Sequence, residues 1–141
     1  MRILFLGDVV GISGCSKIMN NLLDQIETNK IDFVIINGEN ADESGVGLTK
    51  EICGDFFKCG VNVVTTGNHV WDQKDIMNFI DKENRLLRPK NLYEPAPGKG
   101  FEIYKTTNNL KVGVLNLMGN VFMKKCEDVF EISKKFLEKY K

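Results

Sequence analysis

Three short segments carry residue types that can do chemistry: Gly7-Asp8, Gly38-Glu39-Asn40 and Gly67-Asn68-His69. Carboxylate and amide oxygens are hard donors suited to divalent cations, and an imidazole moves protons near neutral pH. In each segment a glycine comes first and lets the backbone turn sharply. Taken singly, none is decisive. Asp8 reads equally as a turn or helix-capping residue, and His69 as a surface or a buried hydrogen-bonded histidine. Glu39 is the less usual residue for a tight loop, and Trp71 reads as packing rather than as a stacking platform. What favours a shared site is their recurrence on three successive units. Gly45 and Gly47 lack a following Lys-Ser/Thr and the GxGxxG spacing, so a phosphate loop is a weak reading. The chain has one histidine, and any acid–base role for an imidazole rests on it.

Each segment follows an apolar run with the character of a strand. Arg2 to Leu6 and Asp32 to Ile36 predict strands buried on both faces of a parallel sheet, and Val61 to Thr66 predicts a third. Between them, Ile18, Met19, Leu22, Leu23 and Ile26 at helical spacing predict an amphipathic helix over Ser16–Thr28. Thr49 is expected to cap a second helix that runs to Cys59 and stops at Gly60. Asp72 is expected to cap a third helix through Ile80, with Asp75 in its first turn. All three prolines lie between Arg88 and Gly100, which predicts a loop. A hairpin follows, Phe101–Thr106 and Leu110–Asn116, then a helix over Cys126–Lys141. In an α/β sheet of this kind ligands bind beyond the carboxyl ends of the strands, which is where Asp8, Glu39, Asn40, Asn68 and His69 fall.

The 141 residues suit one domain, and 43% hydrophobic with 27% charged residues excludes a disordered or low-complexity chain. Nineteen basic and nineteen acidic side chains cancel, which removes the broad positive field of a nucleic-acid or membrane-surface binder. The four cysteines form no CxxC pair and fit reduced thiols in the cytoplasm. No apolar run approaches the roughly 20 residues of a membrane span.

The ordered segments GDVVG from Gly7, GENA from Gly38 and GNHVWD from Gly67 resemble the calcineurin-like metallophosphoesterases. Within them the chain is similar to the YmdB-type 2',3'-cyclic-nucleotide phosphodiesterases, through RLLRPKN from Arg85, PGKG from Pro97 and NLMGNVFM from Asn116. The resemblance implies a layered α/β sheet with flanking helices. It implies that Asp8 holds one metal, Glu39 bridges two, Asn40 and Asn68 add amide oxygens, and His69 protonates the leaving group. The implied reaction is attack of metal-activated hydroxide on a small phosphodiester, in the family with two Fe, Mn or Zn ions.

The family also carries a His-Ala-Glu and a Gly-Thr-His-x-His segment in its second half, and this sequence has neither. Asn120 stands where the family usually has Arg, and Glu127-Asp128-Val129-Phe130 where Asp-Pro-Phe is usual. Residues 1–141 are therefore expected to form a single partial domain, the first half of the fold. Only oxygen donors remain, so weak binding of Mg²⁺ or Mn²⁺ is expected. The alternative function is a catalytically incompetent half-domain that acts through association with another chain. An uncovered apolar face and self-association are expected with it.

Overall fold

The computed structural model describes residues 1–92, 95–123 and 125–140. Four parallel strands form one sheet in the order β1-β2-β3-β4: β1 (Ile3–Leu6), β2 (Phe33–Asn37), β3 (Val63–Thr65) and β4 (Leu86–Leu87). An antiparallel hairpin, β5 (Phe101–Lys105) and β6 (Lys111–Leu115), forms a second sheet. Successive residues of a strand point to opposite faces, and the parallel register keeps like faces together. Leu4, Val34 and Ile36 therefore share one face with Val64 and Leu86, beneath the helices α1 (Gly11–Asn29) and α2 (Lys50–Lys58). Phe33, Val63 and Leu87 point the other way and meet Val112 and Val114 of β6. The architecture is thus helices, parallel sheet, hairpin.

α1 starts five residues before the expected Ser16, because Gly14 lies close against Val9 and lets the helix begin inside the Gly-Ser segment. α2 is as the sequence reads. The Thr49 hydroxyl accepts from the Ile52 N–H at 3.3 Å, and Gly60 carries the chain out at φ +100°. The expected helix from Asp72 to Ile80 is instead one short 3₁₀ segment, Lys74–Asn78. Both acids assigned to it are engaged elsewhere: Asp75 accepts from the Lys50 N–H at the start of α2, and Asp72 pairs with His69. Ile76 and Ile80 are nevertheless buried.

Two further expectations need correction. β1 is not buried on both faces; Ile3 and Phe5 are 45% and 60% exposed, because β1 is an edge strand and the hairpin does not cover it. β4, a two-residue strand, escaped the sequence reading because Leu86-Leu87 is too short to show a period. The last helix, α3, spans Val129–Lys139, starting where the Asp128 carboxylate accepts from the Phe130 and Glu131 N–H groups. Its Phe136 meets Phe101 of β5 edge to face and the following Tyr140 meets it tilted, but no residue of α3 is fully buried. Lys141 of the expected helix, and Tyr93 and Glu94 of the proline loop, lie outside the described residues.

Candidate metal centre

The loops after β1, β2 and β3 stay tied together beyond the strands proper. Val9 N–H donates to the Asn37 carbonyl at 3.0 Å, Gly11 N–H to the Asn40 carbonyl at 2.9 Å, and Gly38 N–H to the Thr65 carbonyl at 3.0 Å. Parallel neighbours are about 4.8 Å apart, so these ties bring the three polar segments to one edge of the sheet. Asp8 leaves β1 in the left-handed backbone region, φ 43°, which a non-glycine residue seldom adopts. Its carboxylate accepts a hydrogen bond from Asn40 Nδ2 at 2.7 Å.

That bond orients the Asn40 amide, leaving its Oδ1 buried without a hydrogen-bond partner. Glu39 Oε2 is buried and unpartnered as well. Buried polar atoms are ordinarily satisfied, so two orphaned oxygens on successive residues of one strand-end loop mark a place for a cation or a donor. Burial raises the Glu39 carboxyl above the usual carboxylate range. The backbone N–H of His69 opposes that, the Asp8 charge reinforces it, and the His69 ring and the Asn68 N–H pull it back down. Gly67 is what admits this carboxylate: a Cβ there would collide with Glu39 Oε1, Oε2 and Cδ.

All five expected residues thus fall in one cluster, though not in the same way. Asp8, Glu39 and Asn40 bring side-chain oxygens. Asn68 acts on Glu39 through its backbone N–H, and its half-buried side chain makes no hydrogen bond among the described residues. His69 is half-buried, with Nδ1 2.6 Å from Asp72 Oδ2. Hard oxygen donors fit a divalent cation of the Mg²⁺ or Mn²⁺ type. Among the described residues no three His, Cys, Asp or Glu side chains form a metal-binding group, so any cation here would draw on the Asn amides as well as on Asp8 and Glu39.

Sequence reasoning missed three contributors. Asp72 was assigned to a helix cap, although its position three residues after His69 was the available signal. Gly67 was read only as a turn. Asn116 is buried and its Nδ2 donates to the Thr66 and Leu87 carbonyls at 2.8 and 3.0 Å, clamping the hairpin to the carboxyl ends of β3 and β4. Nothing in its local sequence signals that role.

Comparison with known proteins bears on this cluster. A 2',3'-cyclic-nucleotide 2'-phosphodiesterase of Bacillus subtilis (strain 168) is 43% identical over 131 residues, which is 92% of this chain and 48% of that protein. A putative phosphatase/phosphodiesterase of Mycoplasma pneumoniae is 36% identical over 124 residues, 84% of this chain and 43% of that protein. The crystal structure of a hypothetical protein from Thermus thermophilus superposes with a TM-score of 0.90 at 35% identity, over 100% of this chain and 54% of the other. A novel phosphatase from Mycoplasma pneumoniae gives the same TM-score at 31% identity, over 52% of its length. The chain spans about half the length of the relatives it matches. The model of the family described as YmdB-like protein matches residues 4–141, and with the fold and these relatives it establishes that the chain belongs to the YmdB-like family.

Proposed function

We propose that the chain carries one wall of a metal-dependent phosphodiesterase site acting on small phosphodiesters, 2',3'-cyclic nucleotides above all. The observation that carries the reading is the pair of orphaned buried oxygens, Glu39 Oε2 and Asn40 Oδ1, beside Asp8 and His69. Asp8, Glu39, Asn40 and Asn68 are the residues that would hold divalent cations, and bound cations would supply Lewis acidity at the phosphodiester. Asp8 and Asn40 lock each other's orientation through their hydrogen bond, which preorganises the oxygens before any ligand arrives. Gly67 keeps open the space the Glu39 carboxylate fills. His69, in its protonated form, is the acid that hands a proton to the departing ribose oxygen, a role worth about 10²- to 10⁴-fold in rate.

With oxygen donors alone, binding of Mg²⁺ or Mn²⁺ is weak and occurs one ion at a time; two Fe or Zn ions retained through dialysis would overturn this. A second reading is favoured by the match to only half of each relative. In it, residues 1–141 are one partial domain, inactive alone, and complete a site only by associating with another polypeptide. The bare β1 edge supports such association. The four cysteines are buried and free, which suits a reducing compartment such as the cytoplasm. Among the described residues no helix is long and apolar enough to cross a membrane.

Hydrolysis of 2',3'-cyclic AMP by the purified chain with added Mn²⁺ separates the readings. Turnover lost in His69→Ala supports the enzyme. No turnover under any divalent ion, restored by a second polypeptide, supports the incompetent half-domain.

A further inference from the structure

The 3₁₀ segment after His69 leaves Asp72 without the capping role its position suggests: the residue preceding that segment is Gln73, and no side chain caps it. Among the described residues the Asp72 side chain makes one hydrogen bond, to His69 Nδ1 at 2.6 Å. The loop is built to hold this pair. Val70 N–H donates to the Gly67 carbonyl and Asp72 N–H to the His69 carbonyl, two successive turns that set residues 69 and 72 side by side. Val70 is fully buried and Trp71 packs against the core, which pins the turns to the body of the protein. A hydrogen bond this exposed, with side chains 35% and 41% accessible, adds little stability, so stability does not account for it.

We infer that Asp72 is a positioning residue for His69, fixing the proton on Nδ1 so that Nε2 is the nitrogen presented to the metal centre. An ionised carboxylate only accepts hydrogen bonds, so the nitrogen facing it must carry the hydrogen. Nε2 is then a bare acceptor in the neutral ring and the donating nitrogen in the charged one. His69 borders the cluster, since its backbone N–H bears on the Glu39 carboxylate, and its Nδ1 is taken up by Asp72. This inference rests on reading His69 as the acid, and the test is chosen to fail separately from that reading.

The chain's single histidine gives one imidazole to observe. Long-range ¹H–¹⁵N correlation on the intact metal-free chain, at a pH above the ordinary imidazole range, reports which nitrogen holds the proton. The expected result is Nδ1–H in the parent chain and loss of that signal in favour of Nε2–H in Asp72→Ala. Asp72→Asn, matched in size, shows the same loss in part, with its amide spectrum and urea midpoint unchanged. A parent ring protonated on Nε2, or variants that keep Nδ1–H, would overturn the inference. With turnover of 2',3'-cyclic AMP as a second readout, Asp72→Asn lowers kcat about 10-fold or more with KM little changed. Turnover that survives His69→Ala removes the acid role and leaves the tautomer result standing.

Discussion

The two ends of the parallel sheet obey the same alternation and end in opposite conditions. At β3 and β4 both faces are sealed: Val64 and Leu86 lie under the helices, Val63 and Leu87 lie under the hairpin, and all four are inaccessible to solvent. At β1 the same pattern puts Ile3 and Phe5 on the hairpin side, where they stay about half exposed among the described residues. Leu4 and Leu6 face an open groove beside Ile18 and Leu22 of α1. The polar cluster sits across this boundary, with Asp8 on the bare strand and His69 on the sealed one. An apolar strand is therefore not evidence of a covered strand; cover is supplied by whatever packs on it.

That contrast gives the largest expected effect. Leu86→Ala opens a cavity in the sealed end and costs about 2–5 kcal/mol in urea denaturation. Phe5→Lys at the bare end changes stability by no more than about 0.5 kcal/mol and reduces self-association in light scattering. A large loss of stability in Phe5→Lys would show that β1 is covered after all.

Next is the boundary itself. Gly67→Ala forces the Glu39 carboxylate out of its cradle, and a cost of about 1–3 kcal/mol is expected together with weaker Mn²⁺ binding in calorimetry. Unchanged Mn²⁺ affinity would remove Glu39 from the donor set.

The third effect belongs to the sealed interior. Burial pushes the Cys53 thiol from its ordinary 9.0 up to about 12. The folded value lies above the unfolded one, so the contribution to stability is complete below the unfolded value and is lost as pH rises towards the folded one. Raising pH from about 8 to about 10 should cost about 1 kcal/mol through this group, and Cys53→Ala should flatten that slope.

The smallest effect is on the exposed hairpin. A hydrogen bond from Lys99 holds the Glu102 carboxyl below its ordinary value, so its contribution is present above the unfolded value and lost as pH falls through the folded one. Screening by solvent limits this to under about 0.5 kcal/mol, read as a shallower acid limb in Glu102→Gln.

Much of the fold was legible in the sequence because it rests on local signals. Apolar runs ending at Gly7, Gly38 and Gly67 mark β1, β2 and β3, and Thr49 with Gly60 brackets α2. The gathering of the five polar residues was legible for the same reason, since each lies in the loop that leaves a strand. Asp72 was misassigned because its carboxylate turns back to His69 instead of capping, whereas Asp75 keeps its first-turn place while accepting from the Lys50 N–H at the start of α2. β4 and Asn116 were invisible because their roles are defined wholly by residues distant in the chain.

Residue order alone therefore determined the alternation of strand and helix and the placement of oxygen donors at strand ends, because periodicity and turn chemistry act over a few residues. Tertiary structure decided which strand is bare, which oxygens are left without partners, and which nitrogen of His69 is bound. Each of those depends on what the rest of the chain brings within a few ångströms, and no local pattern encodes it.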